Sequence, residues 1–217
     1  MKNTYFILIP IIVGVILGVY LTNNFALNSI NEQSLLTKSQ LIKNDSPTIG
    51  FTNAQISIVE FGDYQCTFCY KFHQNTLNDI KTEYIDTGKA NYVYRDFPLN
   101  GASSILAAEA TYCANEQGKY WEYHNILYNN WAGENTGWIN TDSLEGFGAE
   151  INLNISEFNR CLNTHKYYQM IIDNENYAKQ IGINATPTFL IFDNDKLIRI
   201  IGAQQLKEFQ NVINQLN

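Results

Sequence analysis

Cys66 and Cys69 stand where two hydrophobic periods meet. Ile56, Ile58, Val59 and Phe61 read as a buried strand, and Phe68, Phe72, Leu77, Ile80 and Tyr84 recur at helical spacing after it. The Cys-Thr-Phe-Cys segment is thereby placed at a helix N-terminus. The first backbone N–H groups of a helix have no intrahelical partners and its macrodipole is positive there, so a thiolate at Cys66 is favoured over the thiol. Such placement lowers a cysteine pKa from about 8.5 into the range of roughly 3.5 to 7.5. Cys66 is then the attacking nucleophile, and Cys69, one turn on, is placed to resolve a mixed disulfide.

What the other two cysteines mean depends on compartment, and the N-terminus bears on that. Tyr5 to Leu21 is an almost unbroken apolar run of 17 residues behind Lys2, and no further Lys or Arg occurs before Lys38. A run of this length is at the short end of what spans a bilayer, and the charge asymmetry puts everything after Leu21 outside the cytoplasm. Residues 1–21 are thus expected to be a cytoplasmic stub and one transmembrane helix. The alternative is a signal peptide cleaved near Ala26, giving a secreted protein. Residues 22–47 are rich in Asn, Ser, Gln and Lys and suit a flexible tether, with a short helix within Leu35 to Ile42. The folded domain is expected over 48–217. Its partners are not nucleic acids: 14 Lys+Arg against 21 Asp+Glu, a net charge of -7, leaves no basic footprint.

Within that domain, Gly88 closes the first helix and Ala90 to Phe97 reads as a second strand. Every periodic segment across about 102–181 is helical, with helix starts expected at Asp142 with Glu145 and at Asn154 with Glu157. Thr188 to Phe192 and Leu197 to Ile201 read as a hairpin around the turn at 193–196, and Leu206, Phe209, Ile213 and Leu216 give a last amphipathic helix. The order is β-α-β, a helical block, then β-β-α, an α/β sandwich.

This order, and several motifs, resemble the thioredoxin fold and within it the DsbA-like thiol:disulfide oxidoreductases that carry a helical insertion. Val59 to Cys69 looks like that family's approach to its active site, and Tyr94-Arg95-Asp96-Phe97-Pro98-Leu99 like the segment leading into its insertion. Cys113 to Trp121 resembles a helix boundary inside the insertion, and Ile183-Asn184-Ala185-Thr186-Pro187-Thr188-Phe189 the family's cis-proline loop. The resemblance implies a cis Pro187 facing the cysteines, and a Thr186 whose backbone pairs with substrate and whose identity tunes the thiolate. Two departures stand out: Thr67 stands where the family often has Pro and Phe68 where its best-known oxidase has His, and Ala185 stands where Gly is common.

The expected activity is disulfide formation in exported proteins by thiol-disulfide exchange, with a reductase or isomerase of the same fold as the alternative and a zinc or other non-catalytic binding module as an outsider. Glu60, a carboxylate in an apolar strand, is a candidate proton acceptor or relay for Cys69 if buried; otherwise it is an edge residue reaching solvent. Cys113 and Cys161, both in the helical block, are expected to form a structural disulfide, a second redox pair and two free thiols being the alternatives. The three histidines lack metal-ligand spacing, and the Tyr120, Trp121, Tyr123 and Tyr128 cluster reads as core. No cofactor or metal is expected. The resemblance implies a membrane redox partner, DsbB-like or vitamin-K-epoxide-reductase-like, that reoxidises the site.

Overall fold

The computed structural model describes residues 38–43 and 46–216. The expected transmembrane anchor and most of the tether lie outside the described residues, and among those described no helix is long and apolar enough to cross a membrane. Among the described residues ahead of 44 there is one short helix, α1 (Lys38–Leu41).

From residue 44 on, a five-stranded sheet carries the domain. Its strands are β1 (Thr48–Ile49), β2 (Ile56–Gly62), β3 (Ala90–Asp96), β4 (Thr188–Phe192) and β5 (Leu197–Ile201), in spatial order β1-β3-β2-β4-β5. β2 runs parallel to β3 and antiparallel to β4, with Phe61 opposite Thr188. Every residue of β2, β3 and β4 is buried, which is why these strands lack a polar alternation and why Ser57, Glu60, Asn91, Arg95 and Asp96 are enclosed. Edge strand β5 is mostly exposed instead. The two-residue β1 escaped the sequence pattern because so short a strand has no period to show.

After Cys66 the chain forms α2 (Thr67–Asn75), breaks at Thr76, resumes as α3 (Leu77–Ile80) and ends in a π-helical turn at Lys81–Ile85. Phe72, Leu77, Ile80 and Tyr84 are buried as the period implies. Phe68 is not; it is 56% exposed and faces outward between the two cysteines. Gly88, at φ 78, stops the segment with its N–H donating to Ile85 O at 3.0 Å.

Five helices lie between β3 and β4: α4 (Ala102–Asn115), α5 (Tyr120–Asn129), α6 (Thr141–Glu150), α7 (Ile155–Asn163) and α8 (Tyr168–Gln180). A disulfide joins Cys113 of α4 to Cys161 of α7. α6 begins two residues earlier than expected. Asn140, not Asp142, is its cap: the side chain accepts from Ser143 N while the Ser143 hydroxyl accepts from Asn140 N. Serine closes the box that a search for Glu or Gln overlooks. Asn154 does cap α7, accepting from Glu157 N.

Aromatic side chains pack the insertion onto the sheet. Tyr64, just past β2, lies 5.2 Å from the Tyr94 ring and 5.3 Å from that of Tyr128, and its hydroxyl is 3.0 Å from His124 Nδ1. On the other side, Phe72 of α2, Phe189 of β4 and Phe209 of α9 (Leu206–Leu216) meet at centroid distances of 4.5 to 5.5 Å. The helix bearing the cysteines is therefore held between two aromatic clusters. Its N-terminus has little freedom to shift.

Candidate active site

β2 delivers its chain to the loop Asp63–Gln65, and Cys66 follows as the N-cap of α2 without any side-chain capping bond of its own. Cys66 is 5% exposed and Cys69 fully buried, and both are free thiols. Across from them runs the loop ahead of β4, in which the Thr186–Pro187 peptide bond is cis. The Cys66 thiol donates to Thr186 O at 3.4 Å, joining residues 120 positions apart. Ala185 needs no glycine geometry here, since its φ is not positive. The loop is held by Thr188, whose hydroxyl donates to Ala185 O at 2.7 Å, and by Gly202, whose N–H donates to Pro187 O at 2.8 Å.

The two thiols differ sharply in acidity. The Cys66 thiol is lowered from 9.0 to about 6, first because the Cys69 thiol donates to the thiolate, then because the Thr186 hydroxyl and the backbone N–H groups of Cys69 and Phe68 do, against an opposing push from burial. Cys69 is pushed well above its ordinary value, mainly by burial and then by its neighbour Cys66 and the Glu60 charge. At neutral pH the pair therefore holds one thiolate, at the more exposed sulfur, and one thiol behind it. This is the charge state for nucleophilic attack on a disulfide by Cys66 and for its departure as a good leaving group.

Glu60 lies in the central strand β2, 2% exposed, so the edge alternative does not apply. Burial pushes its carboxyl up from 4.5 to about 8, partly offset by a hydrogen bond from the Tyr92 hydroxyl and raised further by Cys66. Gly62 leaves the room for it: a Cβ there would come within 2.6 Å of Tyr94 Cε2 and 2.9 Å of Glu60 Oε1. A carboxyl that titrates near neutrality beside a buried thiol is suited to receiving that thiol's proton.

Two further residues position the cysteine loop, and neither was singled out in the sequence. The buried Asp63 carboxylate accepts from Gln65 N at 2.7 Å, Ser104 Oγ at 2.7 Å and Asn100 N at 2.7 Å, tying the residues before Cys66 to the turn that starts α4. Gln65 in turn donates to Ser104 Oγ at 2.9 Å. Their only sequence signal was position within the motif leading to Cys66. Tyr92, the donor to Glu60, was hidden because its partner lies on another strand, 32 positions away in sequence.

Cys113 and Cys161 are paired in the insertion and do not join the Cys66–Cys69 site. Nor do the histidines gather ligands; His124 is buried among tyrosines and its basicity is depressed, chiefly by burial. Among the described residues no group of three or more His, Cys, Asp or Glu side chains is placed to hold a metal ion.

Residues 43–215 match the thioredoxin family model. The chain is 24% identical over 173 residues to a probable disulfide bond formation protein D of Bacillus cereus, covering 78% of this chain and 80% of that one. It is 27% identical over 157 residues to disulfide bond formation protein D of Bacillus subtilis, covering 70% and 69% of the two chains. The structure of Wolbachia pipientis alpha-DsbA1 superposes with a TM-score of 0.73 at 32% identity, over 81% of this chain and 92% of that one. With two unlike thiols at a helix N-terminus facing a cis-proline loop, the chain belongs to the thioredoxin family and, within it, to the DsbA-like thiol:disulfide oxidoreductases.

Proposed function

We propose that this enzyme donates disulfides to exported proteins outside the cytoplasm, through the Cys66–Cys69 pair. The observation that carries the reading is the asymmetry of the site. Cys66 is acidic and the more exposed of the two, Cys69 is fully buried and protonated, and Thr186 lies against Cys66. In the oxidised enzyme a substrate thiolate attacks Cys66 Sγ, the Cys66–Cys69 bond breaks, and Cys69 leaves with the electron pair and takes up a proton. A second substrate thiolate then attacks the substrate sulfur of the mixed disulfide and expels Cys66 as a thiolate. The substrate is oxidised by two electrons and the enzyme holds a dithiol. Glu60 serves as the proton donor and acceptor for Cys69, and Pro187 with Thr186 aligns the extended substrate.

The apolar run from Tyr5 to Leu21 supports an anchor within residues 1–21, and the polar stretch 22–47 a tether that keeps the domain of 48–217 near the membrane surface. A membrane redox partner of the DsbB-like or vitamin-K-epoxide-reductase-like kind would take the two electrons. The Cys113–Cys161 disulfide acts as a brace within the insertion.

The deciding measurement is the equilibrium potential of the Cys66–Cys69 pair against glutathione, with Cys113 and Cys161 followed separately by mass. A value above roughly -180 mV marks a disulfide donor, and one near -270 mV a reductant, which would overturn the direction assigned here. Cys66→Ala should abolish oxidative refolding of a reduced, scrambled-prone substrate. Retention of the anchor is read independently by alkaline extraction of membranes.

A further inference from the structure

The catalytic helix receives a second anion at its N-terminus. Cys66 is the N-cap of α2 yet supplies no capping bond, and the first free N–H, that of Thr67, donates instead to Glu134 Oε1 at 2.8 Å. Glu134 comes from the loop between α5 and α6, 67 positions away. That loop is clasped to both sides of Cys66. The Trp131 ring stacks on Tyr70 at 4.6 Å and 10°, Trp131 Nε1 donates to Gln65 O at 2.8 Å, and Asn135 N donates to Gln65 Oε1 at 3.0 Å. Asn135 takes a left-handed φ of 56 to do so, and Trp138 Nε1 donates back to Gly133 O at 2.9 Å. Glu134 is thus delivered by an ordered loop even though its side chain is exposed.

We propose that Glu134 is a positioning residue that restrains the oxidising power of the site, by holding a carboxylate on the helix end that the Cys66 thiolate also uses. A helix N-terminus offers a limited set of unpartnered N–H groups and about half a positive charge. Here the set is divided: Thr67 N serves Glu134, while the N–H groups of Phe68 and Cys69 serve the thiolate. Two negative charges on one helix end disfavour each other, and the effect is reciprocal. The thiolate exists only in the dithiol enzyme, so the restraint falls on the reduced state alone. Destabilising the reduced state makes a weaker oxidant. The other ionisable groups facing Cys66 are Cys69 in the same helix and Glu60 in β2.

This inference rests on the redox reading of Cys66 and Cys69, and its test is chosen to fail separately. Glu134→Gln keeps an acceptor for Thr67 N and removes the charge. In the full chain, the pH dependence of Cys66 alkylation should move to lower pH by about half a unit, and the equilibrium with glutathione should shift about two- to fivefold toward the dithiol. Glu134→Lys should move both further in the same direction, and 1 M salt should shrink the differences from wild type. Thermal unfolding of the oxidised forms supplies the structural control: the shift expected is confined to the reduced state. Unchanged alkylation and equilibrium in Glu134→Gln, a shift in the opposite sense, or equal loss of stability in both redox states would overturn the inference. A wild-type chain with no reversible couple would instead overturn the proposed function.

Discussion

The Tyr92 hydroxyl donates a hydrogen bond to the Glu60 carboxylate between two parallel strands, and both side chains are fully enclosed. The bond stabilises the ionised carboxylate against the burial that opposes it. Tyr92→Phe removes the donor and leaves the ring, so Glu60 should titrate higher still, by about one unit for a bond to a charged group. Carboxyl carbon resonances of Glu60 followed through pH 5 to 10 in the two proteins check this. An unchanged midpoint would mean that the hydroxyl contributes nothing to Glu60.

Gly62→Ala tests how closely that carboxyl is packed. The added Cβ meets the Tyr94 ring and hydroxyl at 2.6 and 2.7 Å and Glu60 Oε1 at 2.9 Å, and Tyr94 is fixed by its contact with the Tyr128 hydroxyl at 3.0 Å. Something in the buried layer has to shift. The expected cost is about 1 to 3 kcal/mol of stability, measured by denaturant unfolding of the oxidised form, together with slower exchange at Cys66.

The acid and thiol groups give opposite dependences on pH. Glu60 rises from 4.5 to about 8 and Asp96 from 3.8 to about 7, both chiefly through burial. The folded chain then binds more protons than the unfolded one in those windows. Stability from these groups is full below pH 4 and is lost as pH rises through 7 to 8. Cys66 falls from 9.0 to about 6, so its contribution is full above pH 9 and is lost as pH falls through 6. Only the reduced protein has that term. Melting curves of both redox states should show the oxidised protein losing stability from pH 5 to 8, and the reduced protein gaining on it between pH 6 and 9.

Removing the Cys113–Cys161 disulfide, through a Cys113→Ala, Cys161→Ala double variant, should cost about 4 kcal/mol for its separation of 48 residues. If the bridge is only a brace, the Cys66 alkylation profile of the folded variant stays put. A moved profile would show that the bridge communicates with the site.

The strand and helix order could be read from residue periods because the buried strands are rich in β-branched and aromatic residues and the hairpin carries its own turn. Even the limits of β4 and β5 followed from Asp193, whose carboxylate accepts from the N–H groups of Asp195 and Lys196 at 2.7 Å. The two cysteines were equally plain, since a Cys-x-x-Cys at a change of period has few other uses. Phe68 misled because one apolar residue at the right spacing looks like core even when it faces outward. Tyr92, Asp63 and Glu134 were hidden for a different reason. Each acts on a residue brought to it by tertiary packing, and no local period records a partner 32, 41 or 67 positions away.

The antiparallel pairing of β2 with β4 has a consequence for the order in which this enzyme comes into being. The helix with its cysteines and the loop that faces them are separated by the whole insertion, so closing the site requires a contact across 120 positions. Such long-range closure is slow compared with forming local helices. A chain emerging N-terminus first exposes its reactive sulfurs well before the strand that shelters them exists. The half-made protein is then itself a substrate for thiol chemistry, and it becomes a selective reagent only when the loop at Thr186 and strand β4, close to its C-terminal end, have been added.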